Sequence, residues 1–162
     1  MTNVNYQITR ATAADANEVL ALWNSQIGMP GCTWSLEYPS WENVQHDLNN
    51  AALWVLRVGG SLAGVVAIGD PGDVGDLGWD LTRPAGLARL AVSREFQGQG
   101  LAAVLISHAL QTARNQGYDG VILLVSPGNP RAEHLYQKFG FQADGETFNW
   151  GHLWVRYQLA FQ

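Results

Sequence analysis

One stretch limits the architecture more than any other: Leu90-Ala91-Val92-Ser93-Arg94-Glu95-Phe96-Gln97-Gly98-Gln99-Gly100-Leu101-Ala102. An apolar run stops at Ser93, a short polar turn follows, and two glycines open onto a long segment. In that segment Leu101, Val104, Leu105, Ala109 and Ala113 recur at the spacing of one helix face. The first turn of a helix carries backbone N–H groups with no intrahelical partner, and the macrodipole adds partial positive charge there. Glycines keep side chains away from those donors, so the geometry suits a bound phosphate. On the residues alone, a tight turn with no ligand is an equal reading of Gly98 and Gly100.

Two familiar phosphate loops do not fit. Gly98-x-Gly100-x-x-Ala103 matches the dinucleotide fingerprint in form. However, residues 93–97 separate the strand from the first glycine, and several strands come before it. No acidic residue ends the next strand, where Val125 is followed by Ser126 and Pro127. A Walker loop is excluded because no Gly-Lys-Ser/Thr follows.

Charge narrows the partners. The chain of 162 residues has 9 Lys+Arg against 14 Asp+Glu, a net charge of −5, and Lys138 is its one lysine. No basic excess exists to neutralise a nucleic-acid backbone or an anionic membrane surface. The 47% hydrophobic content excludes a disordered chain and suits one domain across residues 1–162. Cys32 is the sole cysteine, so no internal disulfide forms. The N-terminal region carries Asp15 and Glu18 and no apolar run, and the apolar run at 62–68 is too short for a bilayer. A cytoplasmic location is the resulting expectation.

The rest of the chain reads as alternating elements. Strands are expected at 6–9, 53–58, 62–68, 87–92 and 121–125, with a closing hairpin of 147–150 and 153–161 around Gly151. Helices are expected after Asp15, after the Ser40 cap, across 98–116 and across 130–139. Gly59-Gly60-Ser61 is a hairpin turn, and residues 70–80 form a Gly/Asp loop. The order βααββ, then βαβαββ, implies a mixed α/β (α+β) fold with helices flanking one sheet.

A second motif lies downstream: Asn129-Pro130-Arg131-Ala132-Glu133-His134-Leu135-Tyr136-Gln137-Lys138-Phe139-Gly140-Phe141. Together with Gln97-Gly98-Gln99-Gly100-Leu101-Ala102, it resembles the GNAT superfamily of acyl-CoA-dependent N-acyltransferases. That family's pyrophosphate loop reads Gln/Arg-x-x-Gly-x-Gly/Ala, and its second signature reads Asn-x-x-Ala-x-x-x-Tyr followed by Phe-Gly-Phe. The resemblance runs along nearly the whole chain. It implies a twisted, mostly antiparallel sheet of about seven strands with about four helices, and direct attack of an amine on acetyl-CoA.

The resemblance also implies roles. Residues Gln97, Gly98, Gln99, Gly100, Leu101 and Ala102 would hold the pyrophosphate, with Arg94 and Arg131 near the remaining phosphate. Leu90, Ala91 and Val92 match the family's fourth strand. There the main chain of Leu90 and Val92 would pair with the pantetheine arm, and an N–H near Val92 would face the thioester oxygen. Asn129 would contact the cofactor, although a helix N-cap before Pro130 is equally sound physics. Tyr136 would act as general acid toward the departing thiolate, because a phenol stays protonated at neutral pH.

The general base stays open. Residues 86–92 hold no carboxylate, and their one ionisable side chain is Arg89. A water relay, Glu37, His46 and Asp80 are the candidates. The acceptor is a small or amino-acid-like primary amine, expected between residues 31–41 and 148–154. These segments hold Trp34, Tyr38, Trp41, Trp150 and Trp154, and the residues Trp34, Tyr38 and Trp150 are the ones expected to touch the acceptor. Asp70, Asp73, Asp76 and Asp80 do not follow EF-hand spacing, so no metal is expected. A homodimer is expected by likeness to similar proteins. A non-catalytic acyl-CoA-binding module is the alternative function.

Overall fold

Burial in the central strands alternates between two faces, and that alternation sets the layers. The computed structural model describes residues 5–162. In chain order the elements are β1 (Tyr6–Arg10), α1 (Ala16–Ser25), α2 (Trp41–Asn49), β2 (Leu53–Val58), β3 (Ser61–Gly69) and β4 (Pro84–Val92). They continue with α3 (Leu101–Asn115), β5 (Gly120–Val125), α4 (Pro130–Lys138), β6 (Gln142–Asn149) and β7 (His152–Ala160). Val55, Val65 and Ala67 turn one way and pack with Val19, Leu22 and Trp23 of α1 and Val44 of α2. Leu56, Val66 and Ile68 turn the other way and pack under Leu105, Ile106 and Ala109 of α3. Burial of each such Leu or Ile contributes roughly 1.5–3 kcal/mol. The run from Ala63 to Ile68 is therefore buried on both faces, as befits a central strand.

The strands form one seven-stranded sheet in the order β1-β2-β3-β4-β5-β7-β6. Each neighbouring pair is antiparallel except β4 and β5. The helix α3 makes the crossover that a parallel pair requires. This is the mixed, mostly antiparallel sheet flanked by helices that the motifs imply.

The parallel pair is short. It stays in register at Pro84↔Gly120, Ala85↔Val121 and Gly86↔Ile122, and then the strands part. On its other edge, β4 shifts register against β3 between Val65 and Ala67. Arg89 in that interval has φ 52°, left-handed backbone that is costly for a side chain of its size. A bulge of this kind bends its strand and increases its twist, which turns the end of β4 away from β5. Gly86 at the fork has no room for a side chain, since a Cβ would lie 2.9 Å from Pro71.

Some boundaries differ from the sequence reading. β4 begins at Pro84, not Leu87, because its first residues are the ones that pair with β5. The helix α3 begins at Leu101, not Gly98, because Gly98 and Gly100 adopt φ of 79° and 77°. β6 begins at Gln142, not Thr147. It is an edge strand, largely exposed, with a register shift between Ala143 and Glu146, so it shows no apolar alternation to read.

Candidate functional site

The fork between β4 and β5 opens a cleft of about 1200 Å³. Residues 87–90 form one wall and residues 122–125 the other. The loop between α1 and α2 and the β6–β7 hairpin reach over it, contributing Trp34 and Tyr38 from the first and Trp150, His152 and Trp154 from the second.

Just beyond Leu90, the last residue of β4 in the lining, the end of the strand has main chain turned off the ladder. Ser93 N–H donates to the Ala63 carbonyl at 2.8 Å, and Gly64 stands opposite Val92. In an antiparallel ladder that pattern leaves Val92's own N–H and C=O directed away from β3. The Val92 carbonyl accepts from the side-chain amides of Gln26 at 3.1 Å and Gln97 at 3.2 Å. Ala91 is buried and in register with Val65, while Leu90 lines the cleft. Arg94 Nε donates to the Ser25 carbonyl, so α1, the strand end and the glycine loop are joined.

Beyond Val92 the loop turns into α3. Gly100 is the N-cap and provides no side-chain cap, which leaves the first N–H groups of α3 open. A Cβ on Gly98 or on Gly100 would meet nothing within 4 Å, so these glycines answer to backbone conformation and open space, not to a crowded core. Residues 97–102 flank the end of β4 and lie outside the lining of the cleft itself.

Across the fork, α4 brings Tyr136 to the cleft wall. Tyr136 is 8% exposed and packs edge-on against Phe141, with ring centroids 5.7 Å apart. The main-chain N–H groups of Phe139 and Phe141 both donate to the Tyr136 carbonyl. Gly140 between them has φ 96°, which explains the spacing of the Phe-Gly-Phe signature. Burial alone pushes the Tyr136 phenol well above its ordinary range, so it holds its proton. On its other side α4 is tied to β7, where the Tyr157 hydroxyl donates to Glu133 at 2.7 Å.

Asn129 does what the N-cap reading expects. Its Oδ1 accepts from Ala132 N–H at 3.3 Å, and its Nδ2 donates to the Gly31 carbonyl at 3.3 Å. Thr33 and Ser126 hydroxyls meet nearby at 2.8 Å. The α1–α2 loop is thus pinned to the start of α4, and a Cβ at Gly31 would collide with the Asn129 amide at 2.8 Å.

A buried ion pair also lines the cleft, between two residues 42 apart whose types and spacing do not announce it. Arg89 donates to Asp47 through Nε at 2.8 Å and Nη2 at 2.6 Å, and through Nη1 to the Tyr38 hydroxyl at 3.1 Å. Asp47 is 2% exposed. Burial opposes the Arg89 charge, yet the bonds to Asp47 and Tyr38 outweigh it and hold the guanidinium charged. Trp23 Nε1 donates to the Arg89 carbonyl at 3.2 Å, fixing the bulge from the α1 side. Asp47 sits on the helical face beside Val44 and Leu48, and that inward placement was the available signal.

Among the base candidates, Glu37 and His46 line the cleft. Asp80 does not; it accepts from Gln158 Nε2 at 3.3 Å. Trp41 opens α2 and is 44% exposed outside the cleft lining.

Comparison with known proteins places this architecture. The acetyltransferase (GNAT) family profile matches residues 19–141. N-acetyltransferase 8 of Mus musculus is 38% identical over 104 residues, 62% of this chain and 43% of that protein. N-acetyltransferase 8B of Homo sapiens is 43% identical over 70 residues, 43% of this chain and 30% of that protein. The chain spans less than half the length of these curated relatives. A GNAT-family acetyltransferase from Streptococcus agalactiae superposes with a TM-score of 0.79 over 99% of both chains at 22% identity. The ribosomal-protein-S18-alanine N-acetyltransferase of Escherichia coli gives 0.74 over 96% of this chain and 94% of that one at 18% identity. Both likenesses concern the fold. The family match spans the fork, the glycine loop and Tyr136, and the chain belongs to the acetyltransferase (GNAT) family.

Proposed function

We propose that the chain moves an acetyl group from acetyl-CoA to a primary amine of a small or amino-acid-like acceptor, by direct attack with both substrates bound. The observation that carries this reading is the fork. Its β4 arm ends on Val92, whose main chain is directed away from β3, and the buried Tyr136 of α4 lines the cleft that it opens.

The residues present fit acetyl-CoA. The open space at Gly98 and Gly100 and the uncapped start of α3 suit a pyrophosphate held by the amides of residues 97–102. The main chain of Leu90 and Val92, with Ala91 as spacer, suits an extended amide-bearing arm laid alongside β4. Asn129 retains one N–H and further acceptor capacity for the same ligand.

The thioester supplies an acyl electrophile with a thiolate leaving group. Val92 N–H stabilises the negative charge that builds on the thioester oxygen. Tyr136, kept protonated by burial, donates to the sulfur. Arg89 is engaged by Asp47 and Tyr38, and β4 bears no carboxylate, so proton removal from the amine falls to Glu37, His46 or water in the cleft. Trp34, Tyr38 and Trp150 face the acceptor.

The test is release of free thiol from acetyl-CoA against a panel of amines, alongside titration with CoA. Amine-dependent thiol release supports the reading. CoA binding without any turnover supports the second reading, a non-catalytic acyl-CoA-binding module, which the missing β4 carboxylate favours. Absence of CoA binding removes both.

A further inference from the structure

The cleft lining is electrically lopsided. Glu37, Glu42, Asp47, Asp70 and Asp73 line it, against the single guanidinium of Arg89. Asp47 and Arg89 neutralise one another at 2.6 Å. The other carboxylates have no ion-pair partner among the described residues. The whole chain carries a net charge of −5, and the cleft lining accounts for −4 of it.

The lopsidedness coincides with two features that point to a ligand. Tyr136, 8% exposed, presents a hydroxyl with no protein partner among the described residues to the same cleft. Trp34, Tyr38, Trp150 and Trp154 border that cleft, with His152 edge-on to Trp154 at 5.9 Å. Aromatic faces and unpaired carboxylates attract the same kind of group, a cation. A cleft with low-dielectric walls also focuses its field outward along the approach path.

We propose that the acceptor is at least dicationic: a diamine, polyamine or similar base whose second positive group is held by the carboxylates at the mouth while its neutral amine reaches Tyr136. This rests on the acetyl-transfer reading and adds the substrate class. The Asp47–Arg89 pair keeps the inner lining neutral, so the reacting amine is not held as a trapped ammonium there. The carboxylates of Glu42, at the start of α2, and Asp73, beside Pro71, supply the outer field.

Three acceptors of matched length test it: cadaverine, pentylamine and δ-aminovalerate. Cadaverine is expected to exceed pentylamine in kcat/KM by about tenfold at low salt, with the ratio shrinking as salt rises. In Glu42→Gln/Asp73→Asn that ratio falls to about a third, since the focused field is weaker. Titration of the CoA-loaded chain with the same amines reads the preference without chemistry. Equal use or binding of cadaverine and pentylamine overturns the proposal. Preference for δ-aminovalerate also overturns it and assigns Arg89 to an acceptor carboxylate. Failure to bind CoA overturns the acetyl-transfer reading along with it, whereas CoA binding without charge preference sinks this inference alone.

Discussion

The two halves of the candidate site are built from different materials. The half at the end of β4 and the start of α3, which flanks the cleft, is mostly main chain: the turned-out Val92 N–H, the uncapped N-terminus of α3, and glycines with open space before them. The half under the α1–α2 loop and the closing hairpin is mostly side chain: tryptophans, carboxylates and the Arg89–Asp47 pair. Main-chain donors have the same chemistry whatever the residue, so they suit one unvarying ligand. Side chains differ at each position, so they suit discrimination between ligands.

This contrast can be broken by substitutions that should each damage one half. The largest effect is expected from Gly100→Glu, which forces a side chain at φ 77° and sets a carboxylate before the open amides. CoA affinity should fall by at least about a hundredfold in a titration. Gly100→Gln separates repulsion from strain, and equal losses in the two variants would refute the anion argument. Tyr136→Phe should lower turnover by about a hundredfold while CoA affinity stays within about twofold. Unchanged turnover removes Tyr136 from the chemistry.

Asp47→Asn tests the acceptor half by stability. It leaves Arg89 buried without its counter-charge and should cost about 3 kcal/mol in urea unfolding. A loss below about 1 kcal/mol would show that the pair is solvated like a surface bridge. The pH profile is a subtler probe. Because burial raises Tyr136 above its ordinary value, the folded phenol ionises after the unfolded one. Its contribution to stability is therefore full below about pH 10 and lost above it. Turnover should rise with pH as the amine loses its proton, with no descending limb from Tyr136 below about pH 10. The smallest effect belongs to Trp150→Ala, since Trp150 is 54% exposed. A roughly threefold rise in acceptor KM with unchanged CoA affinity is expected. A change in CoA affinity instead would mean that the two halves are not separable.

The same contrast explains what could be read from residues alone. The glycine loop and the Tyr136 helix were legible because their geometry depends on local rules: positive φ, an uncapped helix start, and an Asn-Pro cap. The central strands were legible as short, unbroken apolar runs on either side of a glycine turn. The Asp47–Arg89 pair was not, since its members are 42 residues apart and meet through tertiary packing. Nor was the bulge, because nothing in the composition of 87–92 signals that Arg89 adopts φ 52°. Asp80, a base candidate in the 70–80 loop, shows the reverse: its loop path takes it to Gln158 and out of the cleft lining. Trp41 ends the 31–41 segment, and helix phase turns it out of the lining as well. The start of β6 was hidden because an edge strand has little core to bury and so carries little pattern.

The attachment of the α1–α2 loop has a consequence for how such a protein changes over generations. The loop is clamped at Gly31 by Asn129 and at Thr33 by Ser126, and it is closed again where Ser35 and Tyr38 bridge. Residues 34–38 between these anchors then behave as an exchangeable cassette. New side chains there would alter which amine is admitted, while the mounting points, and the donor half behind them, stay as they are.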